Sequence, residues 1–177
     1  MSVVVDSLRT EDIEALCGLA RDIWLHHYPP IIGIEQTEYM LRQRYDPSVI
    51  RAELASGTIR WDVLREDGAL RAFAASFQAD FSDALKLDKL YVDPASQRRG
   101  FGERLVERAC EHARALGCRR LILAVNKRNV AAIAAYRKYG FQIVEAVVKD
   151  IGGGFVMDDY IMSKSVGLEE GSGRRDE

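Results

Sequence analysis

The sequence predicts a single-domain mixed α/β protein: one layered sheet with helices packed against it. Three observations carry that expectation. The apolar spacing is helical from Ile13 to about Gly57, then switches to strand alternation from Ile59 to Gln78. Two apolar strands, ending at Val92 and Val125, each lead through a short turn into a helix. The chain then closes on two apolar runs flanking Gly152-Gly153-Gly154. At 177 residues it is one domain's worth, and two cores would fit only if both were small.

Taken in order, Val3 to Leu8 is β-branched and reads as a first strand. Thr10, with Glu11 and Asp12, supplies an N-cap and an acidic first turn. The helix that follows ends near His27, because Pro29-Pro30 cannot continue it. The segment from His26 to Gly33 reads as an irregular linker. Glu35 to Tyr45 is a second helix, and Pro47 and Gly57 bracket a third. Asp67-Gly68 is a hairpin signal between Ile59–Val63 and Leu70–Gln78. In the strand from Leu85 to Val92, Leu85 and Leu87 fall out of phase with Leu90 and Val92. All four reach one face only if an extra residue, a β-bulge, sits near Asp88-Lys89. Gly102 to Leu116 is amphipathic and ends at Gly117; Leu121 to Val125 reads as a strand buried on both faces. Asn129 caps a helix from Val130 to Tyr139, ended by Gly140. Phe141–Lys149 and Phe155–Met162 close the fold as a hairpin around a wide glycine turn. The domain is residues 1–166, and residues 167–177 lack apolar periodicity, as a disordered tail would.

Composition excludes several classes. Lys and Arg number 25 and Asp and Glu 27, so the net charge of −2 disfavours a dedicated nucleic-acid binder acting through Arg98, Arg99, Arg119 and Arg120. No apolar run approaches the ~18–20 residues of a membrane span. The N-terminus shows no basic region followed by a long apolar stretch, so no signal peptide is expected. Cys17, Cys110 and Cys118 are odd in number and scattered, as expected of a cytoplasmic protein. No metal is expected either: His26 and His27 are adjacent, so they point about 100° apart on a helix, with no His or Cys one turn away.

Chemistry concentrates in Leu90-Tyr91-Val92-Asp93-Pro94-Ala95-Ser96-Gln97-Arg98-Arg99-Gly100-Phe101-Gly102. Gly100 and Gly102 permit a tight turn and leave the backbone open to a ligand. The amides of the loop and of the first helical turn would converge on an anion, and Arg98 and Arg99 add charge suited to pyrophosphate. Leu105 stands where a dinucleotide fingerprint needs a third glycine, and no Walker sequence is present. On these residues alone, a ligand-free tight turn remains open beside the phosphate loop.

The second block, Leu121-Ile122-Leu123-Ala124-Val125-Asn126 through Asn129 and Tyr136 to Gly140-Phe141, narrows the choice. With Gln97 to Gly102 upstream, it resembles the GNAT superfamily of acyl-CoA-dependent N-acyltransferases over about residues 85–162. The resemblance implies a mostly antiparallel central sheet with helices on both faces and a bulged, splayed cofactor strand. It implies acetyl-CoA as cofactor. Gln97, Arg98, Arg99, Gly100, Phe101 and Gly102 would bind pyrophosphate; Leu90, Tyr91 and Val92 would offer backbone groups to the pantetheine arm. Asn129 would hydrogen-bond that arm, Lys138 would help hold an outer phosphate, and Tyr136 would sit beside the thioester sulfur as general acid. A backbone N–H of Val92 or Leu90 would stabilise the oxyanion. The amine attacks directly in this family, so it needs a base or a water chain; Asp88, Glu35, His27 and Asp159 are the side-chain candidates.

The stretch His27 to Leu41 resembles a bacterial subgroup related to spermidine/spermine N-acetyltransferases. That implies a small primary amine as acceptor, a polyamine among the options, with Tyr28, Glu35 and Asp159 in its site and Asp150 and Asp158 as further carboxylates. Acceptors on proteins or peptides, and a non-catalytic CoA-binding sensor, stay open as alternatives. Family members commonly dimerise through the last strands, which implies a homodimer.

Overall fold

A computed structural model describes residues 1–79 and 83–167. The elements run β1 (Val3–Ser7), a 3-10 turn (Thr10–Asp12), α1 (Ile13–His27), α2 (Pro29–Ile32), α3 (Ile34–Arg44), α4 (Pro47–Ser56), β2 (Arg60–Glu66), β3 (Ala69–Gln78) and β4 (Ala84–Val92). After a second 3-10 turn (Pro94–Ser96) come α5 (Phe101–Ala115), β5 (Arg120–Asn126), α6 (Val130–Lys138), β6 (Gln142–Gly152) and β7 (Phe155–Ser165). Among the described residues the strands form one seven-stranded sheet in the order β1-β2-β3-β4-β5-β7-β6. Every neighbouring pair is antiparallel except β4 and β5, which run parallel.

Two cores lie on opposite faces. On one, Leu105, Val106 and Ala109 of α5 pack with Leu85, Leu121, Leu123 and Phe141, and Tyr136 of α6 joins them. On the other, Ile13, Leu16 and Trp24 of α1, Met40 of α3 and Ile50 of α4 pack on Trp61, Val63 and Phe73. Residue spacing assigns the sides: alternate residues of β2 and β3 feed opposite cores, so both helical layers are needed to dry the sheet.

Local chemistry explains most boundaries. Asp67 and Gly68 adopt φ +48° and +85°, the paired positive values of a two-residue hairpin turn. Asp46 caps α4 by accepting from the Ser48 amide at 2.8 Å; Pro47 sits in the first turn and Gly57 at φ +68° ends the helix.

Four expectations need correction. Thr10 caps nothing: residues 10–12 form a 3-10 turn with Arg9 at its start and no side-chain cap. The linker expected around Pro29-Pro30 holds a helical turn, α2, because a helix's first amides have no intrahelical acceptor and prolines there forfeit nothing. The glycine turn is tight rather than wide, since Gly152 pairs with Phe155 and only Gly153 and Gly154, at φ +63° and +78°, span it. Gly153 is required for space as well: a Cβ would lie 2.9 Å from the Tyr39 ring, so the hairpin tip can rest on α3. Finally, β5 is buried on one face only; Leu121, Leu123 and Val125 are buried while Ala124 is exposed. The tail, apart from Gly167, lies outside the described residues.

Candidate active site

The site begins where the sheet splits. β4 and β5 pair only over Ala84–Lys86 and Arg120–Ile122, then part. Along β3 the pairing passes from Ser76↔Leu87 to Ala75↔Lys89, leaving Asp88 as the extra residue of a bulge. The shift restores parity: Leu85, Leu87, Leu90 and Val92 all meet the α5-side core, as the broken phase of the sequence required. Parting leaves Leu87–Tyr91 and Leu123–Asn126 as two walls of a cavity of about 350 Å³. Trp24 and Tyr28 from the end of α1, with Ile32 and Met40, form the opposite wall. Tyr39 Oη donates to the Ile151 carbonyl (2.9 Å) and Gln36 Nε2 to that of Val156 (2.9 Å), which ties the β6–β7 hairpin to α3.

The bulge is fastened by charge. Asp88 accepts from Arg44 at 3.1 Å and from Lys89 at 2.7 Å, and the buried Lys89 ammonium also lies over the Trp61 ring at 5.0 Å. Burial opposes the Asp88 charge, but Arg44 and Lys89 overcome it and hold the carboxyl down to about 2. Asp88 is therefore a structural anion and a poor base.

At the splayed end, β4 leads into the loop singled out in the sequence. Asp93 accepts from the Ala95 amide at 3.2 Å, Arg98 and Gly100 adopt φ +63° and +76°, and α5 starts at Phe101 with no side-chain cap. Uncapped first-turn amides at a helix N-terminus suit an anion. Gln97, Arg98 and Gly100 are exposed, while Phe101 and Gly102 are buried. A Cβ on Gly102 would lie 2.9 Å from Tyr139 Oη, so glycine there lets α5 and the end of α6 approach. Arg99 departs from expectation: its guanidinium is paired with Glu66, where Arg71 also binds at 3.5 Å, and it stacks 4.7 Å from the Phe101 ring centre. Glu66 on β2 lies opposite Ala69 and next to the loop, so the pair forms from chain-distant residues. Lys138 is exposed, and neither it nor the loop lines the cavity.

Asn129 and Tyr136 both line it. Asn129 Oδ1 accepts from the Ala132 amide at 3.4 Å, capping α6 as expected, and lies 3.0 Å from His27 Nε2. Burial, then the neighbouring Tyr28 and Tyr139, push the Tyr136 phenol well up, so it keeps its proton at working pH. Tyr28 and Tyr91 share a hydrogen bond of 3.0 Å across the cavity's aromatic wall.

Of the four carboxylates expected to form an acidic channel, Glu35, Asp150, Asp158 and Asp159, the structure brings in one. Asp159 on β7 lines the cavity, is 4% exposed, and has Oδ1 buried without a partner. Burial first, and Asp158 second, raise its pKa. Glu35 is exposed and borders a separate depression with Ile34, Glu38 and Tyr39. Asp158 pairs with Lys127 at 2.6 Å, and Asp150 accepts from the Gly152 amide at 2.8 Å; neither lines the cavity. The acidic channel expected of Glu35, Asp150, Asp158 and Asp159 therefore reduces to Asp159. The reason is strand parity and the reach of α3, which sequence spacing alone did not resolve. Sequence reasoning missed the basic residues Arg44, Lys86, Lys89 and Lys149 that line the same space. Lys86 and Lys89 were visible as charges in an apolar strand; Lys149 carried no signal. Among the described residues there is no cluster of three or more His, Cys, Asp or Glu fit for a metal, and no helix long and apolar enough to cross a membrane.

A single domain whose sheet splits between β4 and β5, with a buried phenol lining the split and an uncapped helix N-terminus beyond the end of β4, has the arrangement that the sequence resemblance implied for an acyltransferase. Residues 19–141 match the family described as Acetyltransferase (GNAT) family, and the chain belongs to that family of N-acetyltransferases. It is 28% identical over 170 residues to a spermidine N(1)-acetyltransferase of Thermoplasma acidophilum, covering 93% of this chain and 98% of that one. The crystal structure of PaiA N-acetyltransferase from Thermoplasma acidophilum in complex with coenzyme A superposes with a TM-score of 0.80 at 25% identity, over 93% of this chain and 99% of that chain. A mycothiol acetyltransferase of Corynebacterium glutamicum is 41% identical over 66 residues, 36% of this chain and 23% of the relative. The protein is thus an N-acetyltransferase related to polyamine acetyltransferases.

Proposed function

We propose that this protein transfers the acetyl group of acetyl-CoA directly to the primary amine of a small molecule. The observation that carries the reading is the split between β4 and β5, with Tyr136 and the orphaned Asp159 oxygen lining one cavity. The residues present fit the cofactor. The β4 edge beyond Lys86 has lost its β5 partner, and the uncapped N-terminus of α5 offers amides to a pyrophosphate. In this reading Gln97, Arg98 and the amides of Gly100–Gly102 bind pyrophosphate, with Lys138 near an outer phosphate. Arg99 contributes its backbone, its guanidinium being held by Glu66. Leu90, Tyr91, Val92 and Asn129 hold the pantetheine arm. When bound, the thioester supplies an activated carbonyl.

The chain's residues then manage two protons. An ordinary alkyl ammonium has a pKa near ~10.4 and must lose a proton before it attacks. Asp159 Oδ1 is the base: the other side-chain candidates are set aside by their surroundings, Asp88 by its two cations, and Glu35 and His27 by their place outside the cavity lining. Tyr136 Oη holds the proton that the departing sulfur takes, and burial keeps that proton in place until then. Tyr28 packs beside the acceptor amine. Similarity to the Thermoplasma spermidine acetyltransferase supports a polyamine as a second reading of the acceptor. The reading includes a homodimer, supported by β6, an eleven-residue edge strand with Val144 and Val148 exposed.

Thermal unfolding tests the assignment. Acetyl-CoA at ~100 times its dissociation constant adds about 2.7 kcal/mol to the folded state. Tyr136→Phe should keep that shift and lose turnover by about 10²–10⁴-fold. Absence of any shift with millimolar acetyl-CoA would refute the proposal.

A further inference from the structure

The cavity that would receive the amine is charged in a way a polycation does not match. Its lining holds four cations, Arg44, Lys86, Lys89 and Lys149, against three carboxylates, Glu53, Asp88 and Asp159. Asp88 is consumed by Arg44 and Lys89 together, and Glu53 accepts from Trp61 Nε1 at 2.8 Å. What remains uncommitted is Asp159 on one side and Lys86 and Lys149 on the other. Neither lysine has an ion-pair partner among the described residues; the Lys86 ammonium lies 5.7 Å from the Phe77 ring centre.

Sheet register places these three groups on one surface. Asp159 pairs with Asn126 on β5 and with Val147 on β6, so all three side chains leave the same face. Lys149 is two residues beyond Val147 and pairs with Met157, with no register shift between, so it shares that face. On β5, Ile122 and Ala124 precede Asn126 at the same parity, and Ile122 pairs with Lys86 of β4. This is the face opposite α5; α1 to α4 cover it as far as β4, and α3 meets it again at the β6–β7 tip, where Ile151 and Met157 pack against the same core. A single buried carboxylate with an unpartnered oxygen, flanked on the open face by two free ammonium groups, is a zwitterion receptor in reverse.

We propose that the acceptor is a small primary amine that also carries an anionic group, a carboxylate or a phosphate. Its ammonium meets Asp159 and its anion meets Lys86 and Lys149. The inference rests on the acetyltransferase reading above and specifies its substrate class. A polyamine would bring further positive charge into a cavity that already holds a surplus. An anion-bearing amine neutralises that surplus while presenting the same nucleophile.

A matched series tests it: α,ω-diamines against ω-amino carboxylates of two to six methylenes, with 2-aminoethyl phosphate and spermidine added, each as acceptor with acetyl-CoA. The expected result is a kcat/KM at least tenfold higher for the amino acid than for the diamine of the same length, expressed in KM. Lys86→Gln and Lys149→Gln should each shrink that ratio, and the double Lys86→Glu, Lys149→Glu variant should reverse it towards diamines. Acetyl-CoA-dependent thermal shifts in every variant confirm that each is folded and binds cofactor. Preference of the unmodified enzyme for diamines or spermidine overturns this inference alone. A ratio unmoved by the lysine variants overturns it too. Failure to acetylate any amine, with no acetyl-CoA shift, overturns the parent reading and this one with it.

Discussion

Replacing Gly100 by valine separates the stability of the loop from its role in binding. Gly100 sits at φ +76°, and a Cβ built there would meet no heavy atom within 4 Å. The substitution therefore costs the unliganded protein nothing in collision; the cost is the left-handed backbone, about 1–2 kcal/mol for a non-glycine residue. For a domain of this size that lowers Tm by roughly 2–8 °C. Alanine carries nearly the same dihedral cost without the bulk. Binding is affected differently, because in the proposed reading the empty space above Gly100 is where a pyrophosphate approaches the first-turn amides of α5. Two γ-methyls there should weaken CoA by a hundredfold or more, about 2.8 kcal/mol, while alanine weakens it far less. Differential scanning fluorimetry gives the stability arm, and isothermal titration with CoA gives the binding arm. Equal CoA affinity in the valine variant and the unmodified protein would show that this loop does not receive the pyrophosphate.

Asp159→Asn should reduce turnover by about 10²–10⁴-fold. With Asp159 as the proposed base, the unmodified enzyme's kcat/KM should fall on acidification through a pKa above the ordinary 3.8, because a carboxyl that has kept its proton accepts none from the amine. Folding raises this pKa, so ionisation subtracts stability as pH rises through it; the asparagine variant should then be at least as stable at neutral pH, as urea unfolding can check. An acidic limb that persists in the variant would assign it to another group. Asp88 has the opposite sign. Its pKa falls from 3.8 to about 2, so its contribution is full above 3.8 and lost as pH falls through about 2. That amounts to about 2 kcal/mol. Asp88→Asn should abolish this loss and cost about 3–5 kcal/mol at neutral pH by leaving Arg44 and Lys89 unpaired; a neutral-pH cost below 1 kcal/mol would contradict the fastening of the bulge. Light scattering should give twice the monomer mass, and Val148→Glu on the β6 edge should halve it; a monomeric unmodified protein would rule out the homodimer.

Much of the frame was legible from local signals. The 3.6-residue spacing gave α1 and α5, and Asp67-Gly68 gave the β2–β3 hairpin. The parity break between Leu87 and Leu90 located the bulge, since a strand that must bury four leucine and valine side chains on one face has no other solution. Asn129 was readable as a cap because capping is decided within three residues. Pro29-Pro30 misled, because the same prolines that stop one helix can open the next.

The charges of the site were decided elsewhere. Asp88 is held by Arg44, 44 residues away, and Arg99 by Glu66, 33 residues away. No spacing rule links such positions; the packing of α3 on the sheet and the passage of the β4–α5 loop beside β2 do. The sheet register selects Asp159 over Asp158 and Asp150, and sets Lys86 and Lys149 beside it, because one step along a strand exchanges cavity for solvent or for the opposite core. The sequence by itself thus determined the family frame, the glycine turn that opens α5, and the helix that carries Asn129 and Tyr136, all of which depend on neighbours within a turn or two. Only the tertiary structure decided which charges are neutralised and which remain free to meet a substrate, because that depends on which distant strands the chain brings side by side.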